Sequence, residues 1–490
     1  MKRLTETDEW QVLERHAKAI EPYTVYSLKE RAPERKDYFK KSACGIELDF
    51  STQRLLPESL ELLFSLADAS HLKEKITALI EGKKVNSSEK KAALHIALRA
   101  PDSDKIYLED LNVMEAVSGA RHQMKTIAER IRAGEWLGFN GRPIRNVVNI
   151  GIGGSDLGPQ LCISALADYG SFGLQFSFIS DADPNAFRNA VKNCNPETTL
   201  FIVASKSFTT KETLYNAKKA MDWIGKKEHF KCHFIAVTEH IDKANKFGIQ
   251  TVLPIWNWVG GRYSVCSAIN LITAIALGWE RFSEFLAGAN QMDVHFKNSA
   301  WDENLPILLG LIGIWNNNFL SINNLIFLTY ASHLDKFVDY VQQLDMESNG
   351  KFIDKQNKRV NYATGPMVWG GAGNRAQHSY YQLLSQGTHR VALDFISVKS
   401  FDGHLMNEFC EQKKVILSEG IGTLEDKENY IPGNIPINHL KLNSCSPYTV
   451  GALIALYEHK IYVQSVVWNI NPFDQPGVES AKQGIQLEEV

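Results

Sequence analysis

The sequence has no apolar stretch long enough to cross a bilayer. Its longest apolar run, 306–315, is broken by glycine and falls far short of the ~20 residues of a spanning helix. The amino-terminal MKRLTETDEWQVLERHAKAI has no apolar core behind its first charges, so a secretory signal is not expected. Cysteine is sparse and unpaired in pattern. Seven are scattered at 44, 162, 194, 232, 266, 410 and 445, with no C-x-x-C spacing. An odd, dispersed set predicts reduced thiols in a cytoplasmic protein. There is no H-E-x-x-H and no Cys/His ligand set, so no metal is expected. Charge of one sign is lacking too: 53 basic against 56 acidic residues give a net −3. That balance argues against a protein built to coat nucleic acid or an anionic membrane, and leaves room for a local basic pocket that binds a small anion.

What is present is ordinary globular composition, 44% hydrophobic and 22% charged. A chain of 490 residues is too long for one core and predicts two large domains. Residues 1–110 read as mostly helical, for example at 57–66 and 88–99. From about 146, short apolar runs alternate with amphipathic stretches: VVNI at 147–150, LQFSFIS at 174–180, TLFIVAS at 199–205, HFIAVT at 233–238 and TVLPIW at 251–256. A second region repeats the texture, with LIFLTYAS at 325–332, PMVWG at 366–370 and VALDFISV at 391–398. Helical candidates there are 334–344, 377–386 and 405–417, and a long amphipathic segment covers 447–463. Alternating strands and helices give α/β domains with parallel sheets and flanking helices. The divisions drawn are 1–110 as an N-terminal helical segment on the larger domain, 111–285 as a smaller α/β domain, and 286–490 as the larger one.

Six loops carry chemically informative residues. Gly151-Ile152-Gly153-Gly154-Ser155-Asp156-Leu157-Gly158 follows a strand and precedes a helix. Its glycines let backbone amides approach an anion at a helix N-terminus. Asp156 stands where a dinucleotide fingerprint would have glycine or alanine, yet Asp181 ends the next strand, so anion site, nucleotide site and plain tight turn all remain open. Ser205-Lys206-Ser207-Phe208-Thr209-Thr210-Lys211-Glu212-Thr213 places five hydroxyls and two lysines between strand and helix. That density favours a phosphate cradle over the N-cap that one or two hydroxyls would provide. Arg262 follows Gly260-Gly261. Glu347 lies in Asp345-Met346-Glu347-Ser348-Asn349-Gly350-Lys351. His378 follows a glycine-rich turn and is expected in the first turn of a helix. Lys482 closes Phe473-Asp474-Gln475-Pro476-Gly477-Val478-Glu479-Ser480-Ala481-Lys482. Taken singly, Arg262 is evenly balanced between surface and cleft, Glu347 reads as an exposed acid, His378 as a structural or surface histidine, and Lys482 as a solvated lysine.

Together these segments resemble the glucose-6-phosphate isomerase (phosphoglucose isomerase) family. The match lies in NWVGGRYSVCSAIN (257–270), LDMESNGK (344–351) and SVVWNINPFDQPGVESAK (465–482), with IGIGGSDLGP (150–159), SKSFTTKET (205–213) and QHSYYQLLSQGT (377–388) in the family's order. The resemblance spans roughly 110–485 and implies two parallel-sheet sugar-isomerase (SIS) type domains. It implies reversible isomerisation of glucose 6-phosphate and fructose 6-phosphate by ring opening and a cis-enediolate, in glycolysis and gluconeogenesis. Gly154, Ser155, Ser205, Lys206, Ser207 and Thr210 match positions that hold the sugar phosphate; Gly261, Gln343 and Gln475 line the sugar. Arg262 matches the arginine that stabilises the enediolate, Glu347 the base between C2 and C1, His378 the ring-opening histidine donated by the other subunit, and Lys482 the lysine near the ring oxygen. The implied enzyme is a cytoplasmic homodimer with composite sites, without cofactor, nucleic-acid partner or membrane. Asn374-Arg375-Ala376 departs from the usual Thr-Asn-Gly and adds a positive charge near the site; Ser385 stands where many members have a second histidine.

The residue types suit that chemistry. A histidine titrates near neutrality and can move protons at the ring oxygens. One carboxylate can carry a proton from C2 to C1 on one face, and a permanently charged arginine can stabilise the oxyanion that forms. Two other readings compete: a sugar-phosphate sensor on the same fold, which would not need Glu347, Arg262 and His378, and a nucleotide-dependent oxidoreductase using the glycine loop.

Overall fold

The computed structural model describes residues 3–170, 173–401 and 403–484. The first sheet-forming element lies in the segment read as helical. Strands β1 (Lys40–Ala43) and β2 (Ile46–Thr52) form a hairpin. Cys44 and Gly45 at its tip have φ of 52° and 77°, the two left-handed residues of a type I′ turn. Cysteine is not a usual residue for that position, so the turn carries no sequence signal. The segment 88–99 also departs from its helical spacing. Only His95–Leu98 makes a short 3₁₀ turn, because residues 92–100 are buried on every side and the Leu94 amide bonds to the Trp258 carbonyl instead of to its own turn. A two-residue ladder, β3 (Tyr107–Leu108) with β4 (Leu111–Asn112), precedes the helix Met114–Arg132.

The next five strands are β5 (Asn146–Ile150), β6 (Gln175–Ile179), β7 (Thr199–Ala204), β8 (Phe234–Thr238) and β9 (Thr251–Pro254). They pair in parallel in the order β6-β5-β7-β8-β9. Every residue of β5, β7 and β8 is buried, because helices cover both faces. A parallel strand so enclosed has no polar face, which is why VVNI and TLFIVA read as largely apolar runs, with Asn149 and Thr199 as buried polar exceptions. Four more strands follow: β10 (Asn324–Thr329), β11 (Met367–Ala372), β12 (Ala392–Val398) and β13 (Ile437–Leu442). The second sheet has the order β1-β2-β13-β12-β10-β11, parallel from β13 to β11 and antiparallel where the N-terminal hairpin joins β13. The strands expected in both α/β regions are present.

The helix Pro447–Val467 runs through the interior, with all its residues except Tyr448 buried. Such a helix has no solvated face and no amphipathic stripe. Two glycines let it lie close to the helix Trp279–Asn298: a Cβ on Gly451 would meet the Phe285 carbonyl oxygen at 2.0 Å, and one on Gly288 the Tyr448 carbonyl oxygen at 1.8 Å. The boundary drawn at 285 falls inside Trp279–Asn298. The polar residues of the helix Pro447–Val467 are paired inside: Glu458 accepts from Arg99, His459 Nε2 lies 2.6 Å from Asp293 Oδ1, and Lys460 Nζ lies 2.5 Å from Asp345 Oδ2. Buried charges persist only when partnered in this way.

Candidate active site

The first site loop leaves the carboxyl end of β5 and turns through Gly153, whose φ is +58°. It packs directly on the third loop: a Cβ on Gly154 would lie 2.1 Å from the Gly261 carbonyl oxygen, and only a glycine allows that approach. Asn149 Nδ2 donates to the Ser155 carbonyl at 3.0 Å, fixing the turn from the strand beneath it. Asp156 is buried, and burial raises its carboxyl above the usual range.

The hydroxyl-rich loop leaves β7, the neighbour of β5. The two strands are in register to Ile150↔Val203, so both loops emerge at the same sheet edge, where open parallel sheets bind ligands. Phe208 is buried there with a φ of +50°, a left-handed conformation held because its ring is enclosed, packing on Phe247. Thr210 stands at the N-cap of the helix Lys211–Ile224, and its side chain makes no capping bond. Instead Ser205 Oγ donates to Thr210 Oγ1 at 3.3 Å, and Ser207 Oγ accepts from Thr209 Oγ1 at 2.8 Å. The hydroxyls of Ser205, Ser207 and Thr210 are therefore not spent on the helix end. Lys206 Nζ donates to the Val259 and Asn257 carbonyls at 2.7 and 3.1 Å, which ties the second loop to the third. An ammonium has three protons, so one remains for an anion. Burial lowers the affinity of Lys206 for its proton.

Arg262 is buried and every part of its guanidinium is held. Nε donates to Ser348 Oγ at 2.7 Å, Nη1 to Glu347 Oε2 at 3.2 Å and Gln475 Oε1 at 2.9 Å, and Nη2 to the Pro472 and Asp474 carbonyls. Tyr263 supports the same point, its hydroxyl 2.9 Å from Ser348 Oγ. Glu347 ends a π-helical turn, Gln343–Glu347, that follows the helix Phe337–Gln342. Such turns are rare and recur at functional sites. Its side chain is 21% exposed, not the free surface acid that Glu347 suggests in isolation. Gln343 Nε2 also donates to Glu347 Oε2, at 3.1 Å, and would lie 2.9 Å from a Cβ on Gly153. Glu347 Oε2 is thus fixed by two donors. Among the described residues, Glu347 Oε1 has no hydrogen-bond partner and is free to accept a proton.

The structure brings Arg262, Gln343, Glu347 and Gln475 into one bonded group, with Gly154 and Gly261 packed together beside it and Lys206 tied to the same third loop. His378 stands apart. It lies in a turn between the short helices Gly373–Ala376 and Tyr381–Gln386, not in a helical first turn, because the helix through Ala376 closes on Arg375 and Ala376 carbonyls and a new one starts at Tyr381. The imidazole is exposed and makes no hydrogen bond with the described residues. The nearby departure Arg375 is neutralised by an ion pair with Asp335. Lys482 falls in the last helix, Pro476–Gly484, and its side chain lies outside the described residues.

Sequence reasoning missed Ser348, Tyr263, Lys351 and Asp474. Ser348 and Lys351 sit in the quoted LDMESNGK segment, but nothing in their spacing distinguishes them from solvated residues. Among the described residues, no three His, Cys, Asp or Glu side chains are grouped as a metal would require, and no helix is long and apolar enough to cross a membrane.

Comparisons with known proteins identify the family and the fold. The sequence profile described as "Phosphoglucose isomerase" matches residues 49–487. The glucose-6-phosphate isomerase of Legionella pneumophila (strain Lens) is 55% identical over 483 residues, covering 98% of this chain and 97% of its own. That of Roseiflexus castenholzii is 41% identical over 504 residues, covering 98% and 93%. The crystal structure of a glucose-6-phosphate isomerase from Chlamydia trachomatis superposes with a TM-score of 0.90 at 29% identity, covering 98% of this chain and 95% of that one. A hypothetical protein from Thermus thermophilus shares the fold, with a TM-score of 0.70 at 21% identity over 89% of this chain and 98% of that one. With its parallel sheets, its paired glycine loops and its Arg262–Glu347 centre, the chain belongs to the phosphoglucose isomerase family, the aldose–ketose isomerases that interconvert glucose 6-phosphate and fructose 6-phosphate.

Proposed function

We propose that this site opens the hexose ring of glucose 6-phosphate and moves a proton between C2 and C1 through a cis-enediolate, with Glu347 as the shuttle. The observation that carries this reading is the Arg262–Glu347 pair. One carboxylate oxygen is anchored by Arg262 and Gln343, which leaves Oε1 to take the C2 proton and return it at C1. A base positioned in this way contributes typically ~10²–10⁴-fold. Arg262 Nη1, bonded to Gln475 and Glu347, is the donor that can exchange a protein partner for the developing enediolate oxygen. Its charge is permanent and already oriented, so little reorganisation accompanies the reaction.

Gly154, Ser155, Ser205, Lys206, Ser207 and Thr210 take the phosphate, supported by hydroxyls not used as caps and by the spare proton of Lys206. Remote binding of the dianion then aligns the sugar carbons, with Gly261, Gln343 and Gln475 along the ring and Lys482 near the ring oxygen. His378 opens the ring in the site of a second subunit. Its exposure and lack of an internal partner support a homodimer with composite sites. The seven cysteines are all free thiols, which supports a reducing, cytoplasmic setting.

The test is isotopic. Glucose 6-phosphate carrying deuterium at C2 should lose part of it to solvent during turnover. Glu347→Gln should still bind the substrate while both isomerisation and C2 exchange fall by ~10²-fold or more. Exchange at the wild-type rate in that variant would remove Glu347 from the reaction.

A further inference from the structure

Lys351 is a second buried cation beside Arg262, and its surroundings are unusual. Its side chain is 12% exposed. The ammonium meets four main-chain carbonyls: Glu347 at 3.0 Å, Ser348 at 2.9 Å, Asn471 at 3.0 Å and Asp474 at 2.9 Å. A fifth oxygen, Asp474 Oδ1, lies at 3.2 Å. Two of these carbonyls belong to the turn that carries Glu347, and two to the turn that leads to Gln475. An ammonium has three protons, so five oxygens share them, as they would around a metal cation. The backbone of Lys351 is fixed as well, because the Thr364 hydroxyl donates to its carbonyl at 2.7 Å.

The geometry points to Lys351 as a positioning residue for the isomerisation, a built-in cation that clamps the Glu347 turn to the 471–474 turn and so sets the distance from Glu347 to Arg262. The proposal rests on Glu347 being the proton shuttle. The link to Arg262 is direct: the Asp474 carbonyl accepts from both Lys351 and Arg262 Nη2. Asp474 is in turn anchored by Asn471 Nδ2 at 3.0 Å and by Ser88. Without the ammonium, four carbonyl dipoles and a carboxylate would face one another across the gap. The two turns would separate, and the carboxylate and guanidinium would lose their alignment. The hydroxyl-rich loop leaves the other sheet and makes no contact with Lys351 that is part of the clamp, so phosphate binding is the part of the site least affected.

Three charged groups face the ammonium: Arg262, Asp474 and Glu347. Burial, with the Arg262 charge beside it, outweighs the two carboxylates and brings Lys351 down to about 8. Losing that proton leaves two N–H donors and no charge among five acceptors, so the clamp loosens as pH rises through this range.

The experiment compares Lys351→Met, Lys351→Ala and Lys351→Arg with Glu347→Gln, using fructose 6-phosphate as substrate. In Lys351→Met, kcat should fall by ~10²-fold, the scale of a ~1 Å misplacement. KM and inhibition by inorganic phosphate should stay within about threefold, since uniform binding is untouched. Propylamine should restore part of kcat to Lys351→Ala, and 1-propanol of the same shape should not. Should the neutral variants fail to fold, Lys351→Arg carries the test, because arginine keeps the charge and does not titrate. The wild type should lose kcat above about pH 8, and this alkaline loss should be absent in Lys351→Arg. An unchanged kcat in Lys351→Met beside an inactive Glu347→Gln would overturn the clamp alone. Equal effects of propylamine and 1-propanol, or an alkaline limb unmoved in Lys351→Arg, would do the same. A fully active Glu347→Gln would instead remove the base, and the clamp with it.

Discussion

At the scale of single residues, the hydroxyl-rich loop decides between two physical roles for the same side chains. Serine and threonine suit a helix N-cap and a phosphate site equally, because both present backbone-like acceptors and short donors. Here Thr210 occupies the cap position without making a capping bond, and it pairs with Ser205 instead. Ser205→Ala and Thr210→Ala should therefore leave the melting temperature nearly unchanged. Each should weaken substrate binding by roughly 1.5–3 kcal/mol, the worth of a hydrogen bond to a charged group, and should relieve inhibition by inorganic phosphate in parallel. A capping role would show the reverse, a loss of ~1 kcal/mol of stability with affinity intact. Thermal melts and phosphate inhibition measured on the same two variants separate the cases.

At the scale of elements, the π turn Gln343–Glu347 shows how the interior sets the site. Asp345 is fully buried within it and pairs with Lys460 of the helix Pro447–Val467. The turn that aims Glu347 outward is thus pinned from below by an ion pair and from above by Lys351. Removing one partner of a buried pair strands the other charge, at ~3–5 kcal/mol. Lys460→Met should be destabilised by that order in urea unfolding. The double variant Lys460→Met/Asp345→Asn should recover a large part, because no bare charge remains. If the double variant were as unstable as the single one, packing of the lysine stem, not its charge, would be what the pair supplies.

At the scale of the whole molecule, the proposed ring-opening residue His378 is exposed and makes no hydrogen bond with the described residues. Two-fold symmetry would give two equivalent composite sites, each with Glu347 from one protomer and His378 from the other. His378→Ala and Glu347→Gln should each be inactive alone. After subunit exchange in equal amounts, half of the dimers would be mixed, and each would hold one intact site. Activity should then return to about a quarter of the wild-type value. No recovery, with exchange demonstrated by a mass-tagged protomer, would refute the shared site.

The sequence by itself determined the α/β texture and the chemistry of the loops. Strands enclosed on both faces are apolar for most of their length, so β5, β7, β8, β12 and the buried end of β10 announce themselves as short hydrophobic runs. The six loops carry unusual clusters of glycine, hydroxyl and charge, so they could be found, and together they point to one family. Other features have no local signature. The β1–β2 hairpin turns on Cys44, whose left-handed conformation no residue preference foretells. The buried segment at 92–100 has helical spacing without a helix, because its partners are distant in sequence. The clamp at Lys351 was equally invisible, since a lysine among polar neighbours reads as solvated. Only the tertiary structure brings the carbonyls of 347–348 and 471–474 together around it. Local preferences fix which backbone shape a segment favours, whereas the partner of a buried charge is fixed by which distant segments the fold packs against it.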